Sequence, residues 1–163
     1  MKPILYLDLD DTILYHGMPV HNSQAFFEWI VKNFEMRWLT AWIPDGIMND
    51  YQAKVLSKRF DGKIGMREFQ KYRNPRGFGN AAAQPSFSAP GEISSKLDGI
   101  DLTDPRPWAW VENELYPNEK EQLIGLKLTS HYYHTDLQEH NAHIVDNPIA
   151  ITWAKLKEDF KIE

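Results

Sequence analysis

Ile4-Leu5-Tyr6-Leu7-Asp8-Leu9-Asp10-Asp11-Thr12 is the stretch that decides the fold. Four consecutive apolar residues suit a strand covered on both faces, as in a parallel sheet. Three aspartates follow at once. Carboxylates packed together repel, and each resists leaving water. A cation or a bound partner must offset that cost.

Working outward, Ser23 stands where a helix N-cap is expected. Phe26, Phe27, Ile30, Val31 and Phe34 then repeat at helical spacing. Met36-Arg37-Trp38-Leu39 reads as a second strand ending at Thr40. Strand, helix and strand make a βαβ unit with a right-handed crossover. Residues 50–60 read as a helix, and the pattern breaks from Asp61 to Gly91. Within that break, residues 75–90 hold Pro, Gly, Ala and Ser in abundance, which predicts a flexible loop. Trp108-Ala109-Trp110-Val111 reads as a third strand, running into Glu112, Asn113 and Glu114. A helix over 118–128, a short strand from Tyr132 to Thr135 and a last helix opened by Asn147-Pro148 complete the pattern. The last helix carries Ile149, Trp153, Leu156 and Phe160 as its apolar stripe. The expected fold is α/β: a Rossmann-like three-layer sandwich around a central, mainly parallel sheet, in one domain over residues 1–163.

The chain has 163 residues, 42% hydrophobic and 13% aromatic, enough for one packed core. Its net charge of −5 argues against a general nucleic-acid coat, although local basic patches remain open. Without cysteine there is no disulfide-linked partner and no thiolate metal site. The apolar run after Lys2 is too short for a signal peptide, and none approaches the roughly 20 residues of a membrane span. A cytoplasmic protein with no membrane partner is expected; the oligomeric state is open.

Ligands of open parallel α/β sheets bind outside the carboxyl ends of the strands. Asp8, Thr40 and Glu112 each end an apolar strand, so they should converge on one crevice. Asp8 and Asp10, two apart, face the same way on extended backbone. Two such carboxylates can divide labour at phosphorus. One attacks as nucleophile, forming an aspartyl-phosphate; the other gives a proton to the leaving oxygen and takes one from water. A hard cation, Mg²⁺, would offset the repulsion.

Asp8-Leu9-Asp10-Asp11-Thr12 after an apolar strand resembles the first motif of the haloacid dehalogenase (HAD) superfamily, and Trp38-Leu39-Thr40 is similar to its second. The resemblance implies Mg²⁺-dependent phosphoryl transfer. Asp8 would be the nucleophile. Asp10 would be the general acid/base and lend its backbone carbonyl to the metal. Thr40 would hydrogen-bond the phosphate, with Thr12 also on the substrate side. The third motif is a phosphate-binding lysine: Lys96 is the choice, with Lys54 and Lys58 as competitors. Trp110-Val111-Glu112-Asn113-Glu114 resembles the fourth, WIDDE, with Glu112 and Asn113 in place of its paired aspartates. Asp8, Asp10, Glu112 and Asn113 would then form the metal set.

The spacing leaves no room for a full cap domain, and an open crevice suits a phosphorylated small molecule or a nucleic-acid end. Trp42 could line the mouth or serve the core. Residues 54–76 are basic (Lys54, Lys58, Arg59, Lys63, Arg67, Lys71, Arg73, Arg76) with Phe60, Phe69, Tyr72 and Phe78 interleaved. This stretch could dock nucleic acid or protein in a catalytically weak binding module, or be a solvated face with its aromatics turned inward. His131/His134 and His140/His143 have zinc-like spacing, but surface or core histidines are the simpler reading.

Overall fold

The computed structural model describes residues 1–77, 96–139 and 147–163. Its centre is β1 (Ile4–Leu7), which pairs in parallel with β4 (Glu35–Trp38) on one side and β5 (Trp108–Glu112) on the other. β6 (Tyr132–His134) adds to β5, also in parallel, giving the order β4-β1-β5-β6. A hairpin of β2 (Leu14–Tyr15) and β3 (Met18–Pro19) lies apart from this sheet.

Both faces of β1 are covered, as the unbroken apolar run requires. Leu5 and Leu7 join one core cluster with Met36, Trp38, Ala109 and Val111. Ile4 and Tyr6 join a second with Trp108 and Trp110. The first face carries α1 (Ser23–Asn33), α2 (Asp50–Arg59), α3 (Met66–Lys71) and α5 (Pro148–Phe160). The second is covered by α4 (Pro117–Gly125), through Leu123, and by the 3₁₀ turn Lys96–Gly99, through Leu97. Each fully buried large side chain in these clusters stabilises the fold by about 1.5–3 kcal/mol. The architecture is therefore α/β with helices on both faces of a parallel sheet, compatible with a Rossmann-like fold.

The helix stripes pack as their spacing demands. Ile149 and Leu156 of α5 are fully buried, while Trp153 and Phe160 lean on Phe26 of α1 and on Phe34 just after it. Asn147 caps α5 by accepting from Ile149 N at 2.9 Å. Ser23 does not cap α1. It is the first helical residue, and its hydroxyl bonds Ile13 O and Val20 N instead; left-handed Asn22 holds the cap position. α4 stops at Gly125 rather than 128, and Lys127 after it is left-handed.

Inside the stretch read as patternless, α3 forms on a single buried side chain, Phe69, with Trp38 Nε1 donating to Phe69 O. Residues 41–77 thus pack onto the main core through Ala53, Leu56, Phe60 and Phe69. From residue 78 onward, the loop read at 75–90 lies outside the described residues. Among the described residues no helix is long and apolar enough to cross a membrane.

Candidate active site

The carboxyl edge of the sheet is assembled from strand ends. Asp8 N donates to Val111 O and Leu39 N to Leu7 O, so the ladders continue one residue past β1 and β4. Leu9 O then accepts from the backbone N–H groups of Thr12, Ile13 and Leu14, with Asp11 left-handed (φ 60°). This tight turn brings Thr12 back over Asp8. Its hydroxyl donates to Asp8 Oδ2 at 3.0 Å and fixes the carboxylate, which is only 4% exposed. Asp10, one pleat further, is exposed.

Lys96 reaches this edge from the 3₁₀ turn on the opposite side. Its ammonium donates to Asp8 Oδ1 at 3.1 Å and to Glu112 Oε2. Of the three candidate lysines, Lys96 meets Asp8; Lys54 and Lys58 stand exposed on α2. Glu119 anchors the Lys96 backbone: its carboxylate accepts from Lys96 N at 2.9 Å and from Tyr116 N at 3.0 Å. Asn74 braces the same turn, its side-chain amide donating to Gly99 O and to Trp38 O. A Cβ at Gly99 would lie 2.4 Å from Leu39 Cδ1 and 2.5 Å from Gly77 O, so only glycine lets the turn approach this closely.

Thr40, 2% exposed, follows β4 on the other flank of β1. Its hydroxyl accepts from Trp42 N at 3.3 Å and retains its own hydrogen to donate. Trp42 is half-buried beside it. On the far flank Glu112 is buried, with Oε1 accepting from Asn113 N at 3.1 Å. Both Glu112 oxygens are thus engaged, so a metal there would share one with Lys96 or with this amide.

Two carboxyls here, those of Glu112 and Asp10, hold their protons more firmly than usual. Glu112 is pushed well above the ordinary glutamate value by burial and then by the Asp8 charge, only partly opposed by Lys96. Asp10, exposed overall, is raised first by partial loss of hydration at this edge and then by the Asp8 and Asp11 charges, against pulls from Arg59 and Lys96. Burial works against the Lys96 charge, yet Asp8 and Glu112 outweigh it, and its pKa is raised. Negative charge exceeds positive at this edge, and hard oxygen donors are the set that suits Mg²⁺. The Asp8 and Glu112 side chains and the Asp10 backbone carbonyl are oxygens that a cation could use here, with Asn113 half-buried and adjacent; among the described residues the acid and imidazole groups whose ligand atoms lie within 4.8 Å of one another are those of His134, Asp136 and Glu139, at the end of β6.

Three contributors escaped the sequence reading: Glu119, Asn74 and Arg59. Glu119 had a signal, an acid three residues after the residue before a helix-opening Pro. Arg59 had been placed only within the basic stretch, yet its guanidinium covers the Trp42 ring at 5.0 Å. That stretch is less open than its composition suggests. Phe60 and Phe69 are in the core, Arg76 is buried against Asp98 O, and Phe78 lies outside the described residues.

The histidines point to separate tasks. His131 stacks on Trp108 and bonds Trp108 O; His134 bonds Tyr132 and Glu139. His140 and His143 lie outside the described residues. No family model, no curated protein and no solved structure matches the chain.

Proposed function

We propose that this chain is a phosphohydrolase of the haloacid dehalogenase type, cleaving a phosphomonoester through an aspartyl-phosphate on Asp8. One observation carries the reading: Asp8, buried at the central strand's carboxyl end, is oriented by Thr12 and countered by Lys96. A nucleophilic carboxylate needs such fixing, with one oxygen aimed and its charge balanced but not neutralised.

In this mechanism an Asp8 oxygen attacks phosphorus while the bond to the leaving oxygen breaks. Asp10, whose raised pKa favours a protonated fraction, supplies the leaving oxygen's proton. Thr40 and Lys96 donate to the phosphoryl oxygens, stabilising charge as it develops. Asp10 then takes a proton from water, which attacks the aspartyl-phosphate and releases inorganic phosphate and free Asp8. Asp8, Glu112 and the Asp10 backbone carbonyl would hold Mg²⁺, which would supply further charge neutralisation on the transferring group. The substrate is a phosphorylated small molecule or a nucleic-acid end. The competing reading, a binding module using residues 54–76, is weakened by the burial of Phe60 and Phe69, which removes two of its stacking surfaces.

The test is phosphate release from a simple aryl phosphate, with and without Mg²⁺, by wild type and Asp8→Asn. Magnesium-dependent release lost in the variant supports the proposal. Equal release by both proteins contradicts it.

A further inference from the structure

Along α2, Tyr51, Val55 and Arg59 recur at i, i+4 and i+8, so they share one helix face. With Trp42 and Gln52 they line an open cleft of about 350 Å³. The cleft is tied to the phosphate-holding edge. Trp42 N bonds the Thr40 hydroxyl, and Gln52 Nε2 donates to Trp42 O while Gln52 Oε1 accepts from Asn49 N as the α2 cap. One side chain therefore locks the start of α2 to the loop that leaves Thr40.

The two ends of the cleft differ. Tyr51, at the start of α2, is 76% exposed, a large aromatic surface with little cover. At the other end, Arg59 Nη1 is buried and has no hydrogen-bond partner among the described residues. The guanidinium rests between the Trp42 ring and Gly17, where a Cβ would come within 3.2 Å of Nη1. It is also near enough to Asp10 for its charge to be felt there. A buried guanidinium N–H left unpaired is costly, and an anionic oxygen is the acceptor that best offsets it.

We infer that this cleft is the leaving-group subsite and that it takes a nucleotide bearing a second phosphate, the base lying on Tyr51 and the second phosphate on Arg59. The inference rests on the phosphohydrolase reading above and names its substrate class. An aromatic face accepts any base by stacking, and Arg binds phosphate through a planar fork. A simple sugar phosphate would leave both Tyr51 and Arg59 unused. The same chemistry is offered by a free nucleoside bisphosphate and by the phosphorylated end of an oligonucleotide.

The experiment is calorimetric binding to the Asp8→Asn protein, which cannot turn over. The probes are adenosine bisphosphate, adenosine monophosphate, glycerol phosphate and a dinucleotide with a terminal phosphate. The bisphosphate is expected to bind about tenfold or more tighter than the monophosphate, and the monophosphate tighter than glycerol phosphate. Adding Arg59→Gln should bring the first ratio within about threefold of unity. Tyr51→Ala, on an exposed position that folding does not need, should erase the second preference. Lys54→Gln, of equal charge change on the same helix, should alter neither. A dinucleotide that matches or exceeds the bisphosphate identifies nucleic-acid ends as the source; one that binds no better than the monophosphate identifies the free nucleotide. Equal affinity for bisphosphate and monophosphate, a preference that survives Arg59→Gln, or failure of every probe to bind would overturn the inference. Turnover of aryl phosphate by wild type judges the phosphohydrolase reading separately. A chain that turns over aryl phosphate but shows no bisphosphate preference loses the subsite alone.

Discussion

The two ends of the sheet use the same residue types to opposite effect. At the amino end, Glu35 opens β4, and Asp104 and Arg106 precede β5. Arg106 grips Asp104 through Nε and Nη2, at 3.0 and 2.7 Å, and also bonds Glu35. Arg37 bonds Glu35 at 2.7 Å. Two arginines serve two acids, and both acids titrate low. Hydrogen bonds from Arg106 hold Glu35 below its ordinary value and Asp104 at about 2. At the carboxyl end, Lys96 is the cation that pairs with Asp8 and Glu112 among the described residues, and Glu112 and Asp10 titrate high. A balanced network is a fastening. A buried, under-compensated one stores unfavourable electrostatics that only a function repays.

The sharpest way to break this comparison is Asp8→Asn. Phosphate release should fall at least about a thousandfold, with the melting curve little changed, because the amide oxygen can still accept from Lys96 while the amide NH2 donates to the Thr12 hydroxyl oxygen. Next, Lys96→Met leaves Asp8 and Glu112 as buried carboxylates without their cation. Urea unfolding at neutral pH should show a loss of about 3–5 kcal/mol. Glu119→Ala removes the acceptor for Lys96 N and Tyr116 N; the expected loss is about 1–2 kcal/mol, with weakened substrate binding read as a raised KM.

Smallest is Glu35→Gln at the amino end. The Glu35 side chain is exposed and screened by solvent, and Arg37 and Arg106 both still reach Asp104, so urea unfolding should shift by less than about 1 kcal/mol.

The two ends should also part on acidification. Asp104, held low, binds its proton more readily unfolded than folded. Its stabilisation is present above the ordinary aspartate value of about 4 and is lost as pH falls from there toward 2. Glu112, pushed high, has the opposite sign: the folded state takes up its proton first, so its electrostatic cost is relieved as pH falls through its folded value. Melting temperature against pH should therefore show Lys96→Met recovering toward wild type on mild acidification. Glu35→Gln should show no such recovery.

Much of the architecture was legible because its causes are local. Ile4–Leu7 and Trp108–Val111 are continuous apolar runs, and only a strand covered on both faces explains them at that length. α1 and α5 announce themselves by stripes that recur at helical spacing. α3 and the β2–β3 hairpin do not. Six residues around one buried Phe69, and strands of two residues, are too short for any period to register.

At the site, Asp8, Thr40 and Glu112 could be placed together because strand ends in a parallel sheet share an edge. In the sequence Lys96 is chosen against two competing lysines, since its position depends on a turn braced by Asn74 and Glu119 from distant parts of the chain. Arg59 was the hardest to see. In the sequence it is one cation among eight, and its isolation arises only when Trp42 and Gly17 close around it.

The central claim is that Asp8 forms a bond to phosphorus, and it can be observed directly. Wild type mixed with a turned-over phosphomonoester and Mg²⁺, then quenched in acid within the first turnover, should yield a peptide carrying one extra phosphoryl group on Asp8 by mass spectrometry. Hydroxylamine treatment should remove it, as expected of an acyl phosphate. Turnover with no phosphoryl group on Asp8 at any quench time, or the group found on another residue, would contradict the account.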